Sequence, residues 1–152
     1  MNIAAHIAKH FREIHVGKNW TASDMKTVLT DITYEQATKK VKDCNTILAL
    51  TYHINYYVDA VLKVFEGEPL QAKDAYSFDH PEITSQAEWE ALVAKVFKDA
   101  EAFAVHLEKL PDDCFDKPFT DEKYGNYYRN MHGIIEHTHY HLGQIALLKK
   151  MV

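Results

Sequence analysis

Histidine is the residue type with the most chemistry to offer in this chain. Ten histidines occur in 152 residues, and four of them (His132, His137, His139 and His141) fall within ten residues near the C-terminal end. Residues four apart on an α-helix lie one turn apart on the same face, so His137 and His141 share a face. Neutral imidazole is a common ligand of zinc, nickel, copper and iron. This pair therefore predicts part of a metal site.

The face that carries this histidine pair is also apolar. Ile134 precedes His137 by three residues, and Ile145 follows His141 by four. Apolar residues at this spacing mark the buried stripe of a helix. We therefore expect both imidazoles to point into the interior of the protein.

Two histidines leave a divalent ion with too few ligands, so a third ligand must come from another helix. His53 is the candidate, because it lies in the middle of a long helical segment on the stripe that includes Leu50 and Tyr57. Three histidines with open coordination positions are typical of metal-activated water chemistry. The spacing also leaves a simpler interpretation open, in which a core histidine is only hydrogen-bonded and the pair faces solvent.

Two sharper metal motifs are excluded by the residues around the pair. The metalloprotease pattern HExxH needs a glutamate directly after the first histidine, where this chain has Thr138. A di-iron carboxylate bundle needs two Glu-x-x-His motifs, and the chain has only Glu136 to His139. Together with His132 these two residues form a group on roughly the opposite face, which we interpret as solvated or as an interface.

Four long helices are expected to position these residues. They are predicted from Ile3 to about His15, from near Asn45 to Phe65, from the cap Ser85 with its capping-box partner Glu88 to before Pro111, and from roughly Tyr124 to Lys150. Short helical pieces are expected after Ser23 and near Tyr34 to Lys39. The long connectors 68–84 and 111–123 allow crossover connections. The sequence thus predicts an all-α four-helix bundle forming a single domain over residues 1–152.

Composition excludes several classes of protein. The chain is 47% hydrophobic and 26% charged, which is a globular balance, and its net charge of -5 without any basic run argues against nucleic-acid binding. No window is long and apolar enough for a membrane span, and the N-terminus does not resemble a signal peptide. Cys44 and Cys114 show no CxxC spacing, so we interpret them as reduced, buried residues of a cytoplasmic protein.

Several polar side chains near the last helix invite a functional interpretation as well. Tyr124, Tyr127, Tyr128 and Tyr140 could line a pocket, although aromatic residues on bundle helices usually belong to the core or its rim. Arg129 could hold an anionic substrate. We interpret it instead as a solvated side chain.

The last helix carries a pattern that resembles a known family. A His-x-x-x-His pair is followed closely by Gly-Gln-Ile in the run from His137 to Ile145, and this looks like the signature of the DinB/YfiT-like superfamily of four-helix bundles. The stretch from Ile47 to Gly67 is similar to the histidine-bearing second helix of that family. The resemblance covers nearly the whole chain.

The resemblance implies a set of site residues. In that family one histidine of the second helix and the His-x-x-x-His pair bind a divalent metal, often nickel or zinc, and these positions match His53, His137 and His141. Gln144 would then support the site through a hydrogen bond, and Gly143 would let another helix approach closely. Bundles of this family are typically not up-down-up-down, and dimers are common.

The resemblance also implies a range of functions. The superfamily includes bacillithiol and mycothiol S-transferases and a metal-dependent maleylpyruvate isomerase. We therefore expect a metal-dependent homodimeric enzyme that activates a low-molecular-weight thiol or water against a small-molecule substrate, with no nucleic-acid or membrane partner. The alternative is a non-catalytic, metal-stabilised dimeric bundle with a stress- or damage-response role. No residue is assigned as catalytic.

Overall fold

The computed structural model describes residues 2–152, and this part of the chain is helical without a β-strand. Four long α-helices and two short ones are present, which confirms the predicted all-α class. Three short 3₁₀ turns lie in the connections, at Asp74–Tyr76, Asp112–Cys114 and Glu122–Tyr124. The helices are α1 Ile3–Val16, α2 Met25–Leu29, α3 Tyr34–Thr38, α4 Ile47–Phe65, α5 Gln86–Glu108 and α6 Tyr127–Leu148.

The four long helices form a ring in which each packs mainly on two others. Helix α1 packs against α5 and α6, and α4 also packs against α5 and α6. Helices α1 and α4 therefore occupy opposite corners, as do α5 and α6. The segments 17–46 and 109–126 join opposite corners, so the chain has the crossover connections that were predicted.

Side-chain caps set where the long helices begin. Thr46, rather than the predicted Asn45, accepts a hydrogen bond from Ala49 N and opens α4. Helix α6 begins after the cap Asn126, because Gly125 adopts a φ of 78° that ends the preceding turn. The predicted start at Tyr124 is therefore wrong by one turn.

The cap of α5 is close to the predicted capping box but differs in one bond. Ser85 Oγ accepts from Glu88 N at 3.3 Å, as expected. The Glu88 carboxylate accepts from Thr84 N at 2.6 Å instead of from Ser85 N. Both bonds satisfy backbone N–H groups at the start of the helix. The capping function is therefore kept, although the donor to the Glu88 carboxylate is one residue earlier than in a standard capping box.

Two apolar clusters fill the interior, and α4 and α6 contribute to both. One cluster contains Phe11, Phe103 and the α4 and α6 segments around Val58 and Met131. The other contains Ile14, Trp89 and segments of the same two helices around Leu50 and Ile145. Position 53 of α4 and positions 137–141 of α6 fall between these segments. The histidines therefore lie at the boundary between the two clusters.

Two expectations about packing are wrong. Cys114 is buried as expected, but Cys44 is exposed, because it lies in the turn before α4 rather than on its buried stripe. Gly143 is exposed, and a Cβ added there would meet nothing within 4 Å, so no helix approaches it closely.

Across residues 2–152, every helix is too short or too polar to cross a membrane.

Candidate metal centre

Three imidazole rings converge between α4 and α6. His53 comes from α4, and His137 and His141 come from successive turns of α6, with ring centroids 4.5, 4.7 and 4.8 Å apart. The Nε2 atoms of His53 and His137 are 3.0 Å apart, and one ring nitrogen from each histidine lies within 4.8 Å of the other two. A zinc ion with Zn–N bonds of about 2.0–2.1 Å separates tetrahedral nitrogens by about 3.3 Å. The three rings therefore need only small side-chain movements to share one ion.

Two of the rings are oriented by hydrogen bonds from their outer nitrogens. His53 Nδ1 donates to Ser77 O at 3.3 Å, and His141 Nδ1 donates to Gln144 Oε1 at 2.7 Å. A ring that donates from Nδ1 keeps a lone pair on Nε2. Contacts of this type commonly fix the ring orientation and tautomer of metal-binding histidines. The arrangement thus leaves Nε2 of both rings available toward the shared point.

Aromatic rings cover the same side chains. Phe78 stacks on His53 with centroids 3.9 Å apart and planes 6° from parallel. Tyr57 packs edge-on against His53 at 5.2 Å and against His137 at 5.0 Å. These rings shield His53 from solvent.

Two of the residues that support the site were missed from the sequence: Ser77 and Phe78. Tyr57 was placed on the stripe of His53 by its spacing of four residues, and the two rings are in contact. Ser77 and Phe78 lie in the long connector between α4 and α5, where no periodicity indicated which side chains turn inward.

Burial keeps two of the imidazoles neutral. Desolvation is the largest cause that lowers the pKa of His137 to about 4, and the nearby His141 and His53 contribute to the same shift. Desolvation is also the largest cause of the lowered pKa of His53, followed by His141. Since only neutral imidazole offers a lone pair to a metal, both rings are in the ligand form at neutral pH.

A cavity of about 540 Å³ adjoins the three histidines on the side of His137. Its size is within the range of small-molecule sites in proteins. Tyr57 and Asp74 form part of its wall, and the Tyr57 hydroxyl donates to the Asp74 carboxylate. Burial and this carboxylate raise the pKa of Tyr57 to about 12, so the hydroxyl remains protonated. The apolar part of the wall is formed by Ala60, Val61, Leu70, Phe119 and Ile134.

The other histidines of α6 have a different environment. His132 and His139 are half-buried, and the ring of His139 lies 6.2 Å from that of His10 on α1. Glu136 is exposed. Glu136 is therefore solvated, which is one of the two interpretations of this face, whereas His132 and His139 are partly covered on the side of α1.

Three imidazoles are a donor set that suits a divalent transition-metal ion. Within residues 2–152, His53, His137 and His141 are the one group of three histidine, cysteine or acidic side chains close enough to hold such an ion. Three protein ligands leave coordination positions open for water or substrate. The geometry is thus compatible with a metal-binding protein.

Comparison with known proteins places the chain in a family. Searches of curated proteins and of solved structures gave no match. A family profile described as the DinB superfamily matches residues 19–145, which include all three histidines of the cluster. The match covers more than half of the chain and agrees with the resemblance found in the last helix. The chain therefore belongs to the DinB superfamily.

Proposed function

We propose that this protein is a divalent-metal-dependent enzyme in which His53, His137 and His141 hold the ion. The observation that carries the proposal is the convergence of three imidazoles beside a cavity of small-molecule size. In this proposal the metal is nickel or zinc. A thiol or water is the nucleophile, and it is transferred to, or hydrolyses, a small substrate in the cavity.

The chain's own groups support this chemistry by position and by exclusion of water. Ser77 O and Gln144 Oε1 orient the rings of His53 and His141. Phe78 and Tyr57 cover His53. Three neutral imidazoles leave a bound divalent ion its full positive charge, which lowers the pKa of a thiol or water bound to it.

Two further parts of the proposal rest on the family resemblance, namely the use of a low-molecular-weight thiol as co-substrate and a homodimeric assembly. The proposed cytoplasmic location rests on the spacing of the two cysteines. The net charge of -5 supports the exclusion of nucleic acid as a partner.

Reconstitution of the chelated protein tests the proposal. Protein stripped of metal and then loaded with zinc or nickel is assayed for transfer of cysteine to 1-chloro-2,4-dinitrobenzene and for hydrolysis of p-nitrophenyl acetate. We expect turnover that depends on the metal and that is lost in His137→Ala. The matched control His139→Ala, two residues away on the other face of α6, should keep it.

The opposite result would favour a different class of protein. If metal raises the melting temperature but neither substrate is turned over, the protein is better described as a metal-stabilised, non-catalytic bundle with a stress- or damage-response role.

A further inference from the structure

The wall of the cavity beside His137 contains a positive charge that no acidic residue neutralises. The chain has two arginines, and Arg12 is paired with Glu101 and Glu108. Arg129 has no carboxylate within 4.0 Å among residues 2–152, and its Nη1 donates to Tyr124 O at 3.3 Å. An exposed guanidinium at the edge of a pocket is available for a planar anion.

The second cation of the cavity is already compensated. Lys123 Nζ lies 3.4 Å from Asp121 Oδ2 and 4.8 Å from the centroid of the Tyr124 ring. Arg129 also lies in the first turn of α6, where the helix dipole adds to the positive potential. The Arg129 end of the cavity is therefore its anion-attracting end.

The spacing of residues along α6 gives the cavity its length. Arg129, Gly133 and His137 follow each other at four-residue intervals and all line the cavity. A rise of 1.5 Å per residue separates the Cα atoms of Arg129 and His137 by about 12 Å along the helix. Arg129 and His137 therefore lie at different ends of the same space, and His137 is the one histidine of the cluster that lines it.

The two ends also differ in charge. Asp74 lies on the wall beside Tyr57, whose ring contacts His53 and His137. A carboxylate at this end disfavours a second anionic group there, apart from one bound to the ion. Between the ends the wall is apolar, with Val61 and Ile134 among its residues.

We propose that the cavity binds an elongated organic acid, with its carboxylate on Arg129, its apolar body along α6 and its reactive end toward the three histidines. The position of the reactive end rests on the proposed function, whereas the carboxylate site on Arg129 does not. Of the two interpretations of Arg129 that the sequence left open, this proposal takes the one in which it holds an anionic substrate. The substrate class is an elongated carboxylic acid with an apolar body, on the scale of the ~12 Å that separate the Cα atoms of Arg129 and His137.

Gly133 offers a way to close the cavity without disturbing the fold. A Cβ added at this position meets nothing within 4 Å, so a larger side chain would extend into the space. Gly143 lies in the same helix, is exposed and also has nothing within 4 Å of an added Cβ, but it does not line the cavity. Gly133→Leu and Gly143→Leu are thus a matched pair.

The test is calorimetric titration of the metal-loaded protein with 6-phenylhexanoate and with the neutral 6-phenylhexanamide. We expect the acid to bind about tenfold more tightly than the amide, as one charge-assisted hydrogen-bond pair provides. Arg129→Gln should remove this preference and Arg129→Lys should restore part of it. Lys123→Gln should reduce it less than Arg129→Gln does. Gly133→Leu should weaken binding of both probes, whereas Gly143→Leu should not.

Three results would overturn the inference: no measurable binding of the acid, equal binding of acid and amide, or a preference that Arg129→Gln retains. The last result would place the carboxylate on the metal. Because the readout is binding, a protein that binds the acid through Arg129 but shows no turnover contradicts the proposed function and leaves this inference intact.

Discussion

Helix α6 carries two groups of histidines that look alike in the sequence but differ in what faces them. His137 and His141 face α4, which contributes His53, and the three rings converge. His132 and His139 face α1, where the ring of His10 stays 6.2 Å from that of His139. The density of histidines therefore does not define the site. The site is defined by the convergence of a third ring, because His53 of α4 reaches both inner rings whereas His10 of α1 does not converge with the outer ones.

The two groups also differ in how their rings are held. In the inner group His53 and His141 donate to Ser77 O and Gln144 Oε1. In the outer group no hydrogen bond from a ring nitrogen of His132 or His139 is formed within residues 2–152, and His132 packs against the ring of Tyr128. Hydrogen bonds from the outer nitrogens thus orient two of the three inner rings, His53 and His141.

The largest expected effect is the loss of stability when metal is removed. A ligand at 1,000 times its dissociation constant stabilises the folded state by about 4 kcal/mol, which corresponds to roughly 8–16 °C in the melting temperature of a chain of this size. Melting curves with and without chelator should show this shift for the natural sequence and for His139→Ala. His137→Ala should melt at the same temperature in both conditions. If chelator lowers the melting temperature of His137→Ala by the same amount, the difference drawn between the inner and outer histidine groups is contradicted.

His15 lies outside both groups, and it shows how burial alone changes the pKa of a single imidazole. His15 is buried in α1, and desolvation lowers its pKa to about 4. Because the unfolded chain binds this proton below about pH 6.5 and the folded chain does not, stability falls as the pH falls from 6.5 to 4. The contribution of His15 is about 3 kcal/mol over this range.

Urea unfolding at pH 7 and pH 4 measures this contribution. His15→Leu should lose less stability on acidification than the natural sequence, by about the amount assigned to His15. His6→Leu, at an exposed position of the same helix, should leave the pH dependence unchanged. If His15→Leu loses as much free energy of unfolding between pH 7 and pH 4 as the natural sequence does, burial does not hold this ring neutral.

A smaller effect is expected from the group that orients His141. Gln144→Leu removes the acceptor of the His141 Nδ1 proton. Loss of such a contact typically weakens metal affinity by about 10- to 100-fold. Competition with a chromophoric chelator at pH 7 measures the change, and exposed Gln71→Leu is the control. An unchanged affinity would mean that Gln144 does not support the ion.

Much of the fold and the core of the site could be predicted because both depend on local periodicity. The i,i+4 spacing of His137 and His141 on an apolar stripe placed both rings on the correct face of α6. The same kind of stripe selected His53, and the long connectors indicated crossovers. These features follow from helix geometry and can be predicted without knowing how the chain runs in three dimensions.

What could not be predicted depends on how connectors run across the bundle. Ser77 and Phe78 reach His53 from an irregular segment, and irregular segments have no period to read. The exposure of Gly143 was missed because a glycine in a helix does not by itself reveal which face is open. Arg129 is exposed, as its interpretation as a solvated side chain predicts, but its lack of a carboxylate partner among residues 2–152 is visible only in three dimensions.

Elemental analysis of the purified protein tests the central claim most directly. The natural sequence and His139→Ala should each carry about one divalent ion per chain, since the inner group has one set of three ligands. His137→Ala should carry almost none. Full metal occupancy in His137→Ala, or its loss in His139→Ala alone, would contradict the assignment of the ion to His53, His137 and His141.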